Sequence, residues 1–273
     1  SDFLAGEYPL GFAIDERLAN QLTEALYATG QNIRYAIESI GNDYDGIERY
    51  QAGYLMGEVN FTKYITFIPG FRYEKDYSKY HGQSFKRSTP NNIEGPPADL
   101  RYLEVERNNE FWLPMFHLIA NPFDWMKIRL ARTETITRPD FIRYAPITYI
   151  NEYGTYINAA NSELKPAHSI NYDASISVYE NYVGLFTVSG FQKSIKDIVF
   201  QVTYYLKTGI KPLPGLNLLD KWYGPGIGAP QLDTYINNPE PAKYKGIELD
   251  WQTNFWYLPE PFNGLVLSAN YTF

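Results

Sequence analysis

Gly246-Ile247-Glu248-Leu249-Asp250-Trp251-Gln252-Thr253-Asn254-Phe255-Trp256-Tyr257 decides how the chain is read. Ile247, Leu249, Trp251, Phe255 and Tyr257 share one parity, while Glu248, Asp250, Gln252 and Asn254 share the other. Successive side chains of a strand point to opposite faces, so this segment is a strand with one oily and one wet side. The same period of two recurs along the chain. In Gly264–Phe273, Leu265, Leu267, Ala269, Tyr271 and Phe273 oppose Ser268, Asn270 and Thr272. In Ile170–Glu180, Ile170, Tyr172, Ala174, Ile176 and Val178 oppose Asn171, Asp173, Ser175 and Ser177. In Tyr64–Tyr77, Ile65, Phe67, Phe71 and Tyr73 oppose Thr66, Arg72, Glu74 and Asp76, and in Gly53–Phe61, Leu55, Val59 and Phe61 oppose Tyr54, Glu58 and Asn60. Leu103–Ala120, Trp125–Thr137 and Val183–Tyr205 alternate less cleanly and complete a set of eight strands. The last is long enough for a single strand of about twenty residues, far beyond the ~5–6 usual in globular sheets.

Composition agrees with a wall that is oily on one side only. The 273 residues include 25 Tyr, 16 Phe and 5 Trp, yet mean hydropathy is slightly polar. A transmembrane β-barrel has this combination, because lipid-facing apolar residues alternate with lumen-facing polar ones and aromatics gather at both interfaces. Net charge is −7, which argues against a general nucleic-acid or anionic-lipid binder, either of which would carry a basic face. Cysteine is absent, so disulfides, thiolate metal sites and a Cys nucleophile are excluded. The three histidines, His81, His117 and His168, are scattered, and neither a metal nor a cofactor is expected. No apolar run approaches the ~18 residues of a membrane helix.

The connections alternate in length. Thr62–Lys63, Asn121–Asp124, Asn181–Tyr182 and Leu258–Asn263 are short, whereas 80–102, 138–168 and 207–243 are long and rich in Pro, Gly, Asn and Tyr. Up-and-down hairpins of an outer-membrane barrel sort loops in this way, with turns on the periplasmic side and loops outside. The N-terminal part differs. Asp15 is placed to cap a helix carrying Leu18, Leu22, Ala25 and Leu26 at three- and four-residue spacing, and Gly30 ends it. A second helical stretch is expected at 33–40, and a turn at Asn42–Gly46.

Against this background several short words stand in order. Ile68-Pro69-Gly70-Phe71-Arg72-Tyr73-Glu74 comes first. Thr137-Arg138-Pro139-Asp140-Phe141 closes a strand and is followed by Tyr144-Ala145-Pro146. Asn161-Ser162-Glu163-Leu164-Lys165-Pro166 precedes Asn171-Tyr172-Asp173. Gly190-Phe191-Gln192-Lys193-Ser194-Ile195-Lys196-Asp197, Lys245-Gly246-Ile247-Glu248-Leu249-Asp250 and Ala269-Asn270-Tyr271-Thr272 complete the series. The order resembles the barrel of TonB-dependent outer-membrane receptors over about residues 48–273. Ser162 and Ala167 depart from the family pattern around Leu164-Lys165-Pro166, which implies an altered loop shape. The resemblance implies an all-β chain: part of a large antiparallel up-and-down transmembrane β-barrel with a short helix in an N-terminal extracellular loop. Residues 1–49 are expected to form that loop region and 50–273 about eight barrel strands, with the family's plug domain outside this chain, an interior portion of the receptor.

The resemblance further implies a bacterial outer-membrane location and active transport. Extracellular loops would capture a small ligand (siderophore, oligosaccharide, peptide or vitamin), and TonB, acting through the plug, would energise its passage. Outer-membrane lipid and the TonB complex are then partners, a surface lipoprotein is compatible, and no catalytic residue is implied. Arg72, Glu74, Asp76, Asn171, Asp173, Glu248, Asp250, Gln252 and Asn254 are expected to line the lumen. Stacking rings with polar tips suit sugars, peptides and chelates, so Tyr149, Tyr153 and Tyr156 in one loop and Trp222, Tyr223 and Tyr235 in another are the ligand candidates.

Other readings stand beside this one. A passive channel or structural barrel needs the same wall without TonB coupling. A soluble all-β carbohydrate-binding module or hydrolase requires a second sheet over the row Ile247, Leu249, Trp251, Phe255 and Tyr257. Asp43-Tyr44-Asp45-Gly46-Ile47-Glu48 carries a fragment of a calcium-loop spacing without the full ligand set.

Overall fold

The computed structural model describes residues 15–30, 43–86, 99–151, 153–207, 215–216, 218 and 228–273. The helix expected at 33–40 lies outside these residues. Helix α1 spans Glu16–Ala28, and the Asp15 carboxylate accepts a 3.1 Å hydrogen bond from the Leu18 amide, which satisfies one of the helix's orphan donors. Among the described residues no helix is long and apolar enough to cross a membrane.

All described strands join one sheet. They are β1 Asp45–Met56, β2 Val59–Thr62, β3 Ile65–Lys86, β4 Arg101–Phe123, β5 Met126–Thr137, β6 Thr148–Ile150, β7 Tyr156–Ala159, β8 Ala167–Glu180, β9 Gly184–Lys196, β10 Val199–Tyr205, β11 Gln231–Asn237, β12 Ala242–Asn254 and β13 Val266–Thr272. Long antiparallel ladders connect β1 and β2 to β3, then β3 to β4, β5, β8, β9, β12 and β13 in order. The eight strands expected from alternation are therefore present, two of them interrupted. Gly57 and Glu58 divide β1 from β2, and Asp197, at φ 57°, divides β9 from β10. The Val183–Tyr205 segment is thus two strands with a bend.

Three expectations need correction. The turn placed at Asn42–Gly46 is already strand from Asp45 onward, because Asp45 pairs with His81 on β3. Phe255 and Tyr257 leave the row of Ile247, Leu249 and Trp251, because β12 ends at Asn254 and they sit in the turn. β3 continues nine residues past Tyr77, to Lys86. Its alternation persists there, but the outer row turns from apolar to charged, so a boundary drawn by oiliness stops short.

Two of the long connections are themselves built. Residues 138–168 contain the short helix α2 (Phe141–Tyr144) with β6 and β7, and 207–243 contain β11. β6 lies parallel to the upper end of β3, β7 antiparallel to β6, β11 parallel to β7, and β10 antiparallel to β11. Because β10 continues β9, the strands β6, β7 and β11 form a bridge from the top of β3 to the top of β9. The core sits here. Ile150, Ile157, Ala159, Leu206, Leu216 and Leu232 bury one face of the bridge, and Tyr80, Tyr144, Ala145 and Leu164 form a second cluster. Gly82 lets the chain cross at this point, since a Cβ there would stand 2.7 Å from the Pro146 carbonyl oxygen.

Candidate functional site

The two faces of the sheet have different chemistry, and register decides which residue belongs to which. The outer row of β3 runs Ile65, Phe67, Pro69, Phe71, Tyr73, then Lys75, Tyr77, Lys79, His81. Its β4 partners run Ala120, Leu118, Phe116, Pro114, Trp112, then Glu110, Asn108, Glu106, Glu104. The switch from apolar to charged falls at one level, between the Tyr73–Trp112 and Lys75–Glu110 pairs. Trp112 is 64% exposed, with its ring 4.8 Å from Tyr73 and 6.0 Å from Phe71. Above it, Lys75 meets Glu110 at 2.8 Å, Lys79 meets Glu104 at 2.8 Å and Glu106 at 3.3 Å, and His81 lies 2.8 Å from Asp45 and 2.9 Å from Glu104. Those hydrogen bonds raise the His81 pKa.

At the opposite end the short turns carry a second aromatic group. Phe123 stacks on Trp125 at 5.1 Å, and Tyr182 lies against Trp256 and Tyr257. From Ile65 to Tyr73, at ~3.3 Å per residue and a tilt of ~45°, the apolar band is roughly 20 Å tall, close to the ~25 Å band of outer-membrane barrels. Ile247 is 51% and Leu249 37% exposed, so among the described residues no second sheet covers the row that a soluble sandwich must bury.

On the inner face the expected lumen residues divide into a fastened group and a looser one. Arg72, Glu74 and Asp76 join a network under the bridge. Arg138, where the chain leaves β5, donates to Glu74 and Asp76, both at 2.7 Å, and so reaches across β4 to β3. Asp76 is 4% exposed and also accepts from Asn109 at 2.7 Å, while Arg72 donates to Glu74 at 2.6 Å. The Arg138 guanidinium stands 4.9 Å from the Tyr50 ring centroid and Arg107 5.2 Å from that of Tyr144. The hydroxyls of Tyr50, Tyr80 and Tyr144 all donate to the Glu48 carboxylate. Burial raises the Glu48 pKa, but the three hydroxyls outweigh it and hold the group below its ordinary value. Burial and the bond to Glu48 push the Tyr80 hydroxyl far up, so it remains a donor. Asn171 is buried against Thr133, and Gln252 donates to Asp250 at 3.2 Å, whereas Asp173 and Asn254 are exposed and Glu248 is half-buried. Asp45 and Glu48 lie on opposite faces of β1, so the calcium-like fragment does not converge on one point.

The ligand candidates are brought together only in part. Tyr149 on β6 and Tyr235 on β11 come from different connections and line one cleft of about 210 Å³, with Tyr44, Ile142, Ile147 and Asn158. Tyr156 is on the same face of the bridge, bound instead to Asp233 at 3.0 Å. Asp233 also accepts from Thr203 at 2.7 Å and Gln231 at 3.3 Å. The Thr203 bond leads in holding its carboxyl below the usual carboxylate range. Tyr153 is 73% exposed in the β6–β7 turn, away from the cleft, and Trp222 and Tyr223 lie outside the described residues. Alternation missed Glu48, Tyr50, Tyr80, Tyr144, Arg107 and Arg138 as a group. The inward parity of Glu48 and Tyr50 on β1, Tyr80 on β3 and Arg107 on β4 is the available signal, whereas Tyr144 on α2 and Arg138 past β5 lie outside strand alternation and join through contacts distant in sequence.

Comparison with known proteins identifies the wall. No curated protein sequence matches the chain. Among solved structures, the Serratia marcescens hemophore receptor HasR has a TM-score of 0.54 at 13% identity, over 76% of this chain and 32% of that one. The Pseudomonas aeruginosa ferric enterobactin receptor PfeA has a TM-score of 0.49 at 14% identity, over 84% of this chain and 35% of that one. The chain spans about a third of the length of these receptors. The sequence profile described as TonB dependent receptor-like, beta-barrel matches residues 5–273. With its oily outer rows, two aromatic girdles and polar inner wall, this chain belongs to the TonB-dependent receptor β-barrel family of the bacterial outer membrane.

Proposed function

We propose that the chain forms a portion of the wall, with the extracellular cap above it, of a receptor that takes up a small ligand by TonB-energised transport. The observation that carries the reading is the one-level switch of the outer row at Tyr73 and Trp112 beneath a built cap. The apolar rows fit hydrocarbon, the charged rows above them fit water, and the bridge of β6, β7 and β11 offers a polar aromatic surface where a ligand arrives. Tyr149, Tyr235 and Asn158 supply rings and an amide to one cleft, and Asp233 fixes Tyr156 beside it. This chemistry suits a siderophore, oligosaccharide, peptide or vitamin. The likeness to HasR is one of fold and carries no hemophore or heme across. The wall and cap begin with β1 at Asp45 rather than at residue 50, the residues before it, with α1, belong to an outer loop, and a plug encoded elsewhere in the protein would couple to TonB. Arg72 and the inner row from Glu248 to Asn254 would face that plug or the passing solute, while Glu74 and Asp76 fasten the wall to the bridge. No bond is made or broken in this scheme.

The test is ligand uptake by cells expressing the complete receptor, with and without TonB. Uptake that stops without TonB supports active transport, and uptake that continues favours a passive channel. Tyr149→Ala with Tyr235→Ala is expected to weaken binding about tenfold or more, on the order of one stacking contact per ring, while Tyr153→Ala leaves it unchanged.

A further inference from the structure

On the bridge, register fixes a regular grid of side chains. Tyr149 on β6 pairs with Asn158 on β7, Asn158 with Asp233 on β11, and Asp233 with Thr203 on β10, so these four form one row across it. Tyr156 and Gln231 stand on one side of that row, and Tyr235 on the other. The side chains of opposite parity, Ile150, Ile157, Ala159 and Leu232, are buried, so the row faces away from the core. Next to Tyr235 the grid position that follows β7 is taken by Ala160, whose amide donates to the Ile147 carbonyl at 3.0 Å. A methyl group where the neighbours are rings leaves the cleft between Tyr149 and Tyr235.

Charge limits what this surface can take. Among the described residues no lysine or arginine stands on β6, β7, β10 or β11. Arg143 on α2 lies 5.1 Å from the Tyr235 ring centroid, but it is paired with Asp140 at 3.0 Å. An anionic chelate gains most from charged donors, and the grid carries none. The carboxylate of the row is Asp233, and it already accepts from Thr203, Tyr156 and Gln231, so it is no open counter-ion for a cationic peptide. What the grid offers is neutral: two ring faces, an amide and hydroxyls. Size narrows the choice further. At about 210 Å³ the cleft lies below the ~300–1,000 Å³ of pockets that enclose a whole small molecule, so it takes one ring of a longer one.

We infer that the cleft over Ala160 is a subsite for one pyranose ring of a neutral oligosaccharide, with its apolar faces against Tyr149 and Tyr235, its hydroxyls towards Asn158, and the next sugar unit lying over Asp233 and Thr203. A pyranose is apolar on its faces and polar around its rim, which is the order of groups from the cleft outwards. Strands lie ~4.8 Å apart, so the row runs about 10 Å from Asn158 to Thr203. A ligand that repeats ring by ring uses that length, whereas a compact chelate fills the cleft and leaves the row untouched. The inference rests on the ligand surface proposed above and narrows its four ligand classes to one.

The experiment applies the complete receptor in detergent micelles to an array of neutral and acidic oligosaccharides, with a neutral ferric trihydroxamate and an anionic ferric triscatecholate as parallel probes in solution. Retention of a neutral oligosaccharide of two or more units, with the same affinity at low and high salt, is the expected result. Tyr149→Ala with Tyr235→Ala should weaken it about tenfold or more, and Asn158→Ala about fivefold. Ala160→Leu should abolish it by filling the cleft. Since Ala160→Leu also adds bulk at the edge of the core, the tyrosine pair, which only removes atoms, is the decisive variant. Retention of no neutral oligosaccharide, preference for acidic ones, or steep salt dependence would overturn the sugar assignment. So would a ferric complex whose binding the tyrosine variant removes, although that outcome leaves the cleft as the ligand surface. An oligosaccharide held equally well by the wild type and the tyrosine variant would instead overturn the cleft itself, so the two failures are separable.

Discussion

The lower and upper halves of β3 have the same backbone geometry and opposite surroundings. Below Tyr73 its outer row is Phe67, Pro69 and Phe71, and its inner row faces the lumen. Above Tyr73 the outer row is Lys75, Lys79 and His81 in ion pairs, and the inner row, Asp76, Ser78 and Tyr80, is buried beneath the bridge. One strand thus passes from a regime where oil is outside and water inside to one where water is outside and packed protein inside. Pleat and register are unaffected by this exchange. What changes is which face must carry the cost of burying polar groups, and hence where salt bridges and hydrogen bonds are needed.

Removing the clamp in the upper half should have the largest effect. Arg138→Ala leaves the buried Asp76 without its cation and Glu74 with Arg72 alone, and loss of one partner of a buried pair costs about 3–5 kcal/mol. Urea unfolding of the complete receptor in micelles should show it, and Arg138→Lys should recover only part, since an ammonium lacks the two-pronged geometry. The lower half is broken from the outer side. Ile176→Arg places a charge in the apolar row and should cost about 2–4 kcal/mol, whereas Tyr77→Arg in the upper row should be nearly neutral. Similar costs at both positions would erase the distinction between the halves.

A smaller effect is expected in the bridge. Asp233→Asn exchanges three charge-assisted bonds, from Thr203, Tyr156 and Gln231, for weaker ones and should cost about 1–2 kcal/mol, visible as faster proteolysis within 207–243. The smallest effect is pH-dependent. The His81 pKa is raised in the folded protein above its ordinary value of 6.5, so its contribution is complete below that value and is lost as pH rises through the folded pKa. The Tm difference between the wild type and His81→Gln should therefore be larger on the acidic side and vanish towards alkaline pH. A difference that grows with pH would contradict the bracket by Asp45 and Glu104.

These halves also differ in how legible they were from sequence. The lower half is written locally. Ile247, Leu249 and Trp251 against Glu248, Asp250 and Gln252 specify strand, face and environment within a few residues, and short turns set the pairing. The upper half is written in non-local contacts. Thr148–Ile150 and Tyr156–Ala159 are too short to show a period, and each gains its identity from a partner far along the chain, β6 from Ser84–Lys86 and β7 from Gln231–Asp233. For the same reason aromatic richness found Tyr149 and Tyr235 but did not show that they share a cleft, and it chose Tyr153, which does not line it. The word Thr137-Arg138-Pro139 was visible as a strand end. Its physical task, fastening that end to Glu74 and Asp76 across an intervening strand, was not, because nothing local reports a contact spanning more than sixty residues.

The account depends most on the outer row of β3 leaving hydrocarbon at Tyr73. These 273 residues contain no cysteine, so single cysteines at Phe67, Phe71, Lys75 and Lys79 can each carry a spin label in the receptor in lipid bilayers once any cysteine outside them is replaced. Collision with oxygen, which concentrates in hydrocarbon, should dominate at 67 and 71, and collision with a water-soluble nickel chelate should dominate at 75 and 79. Chelate accessibility that is high at all four positions would show that these rows do not touch lipid.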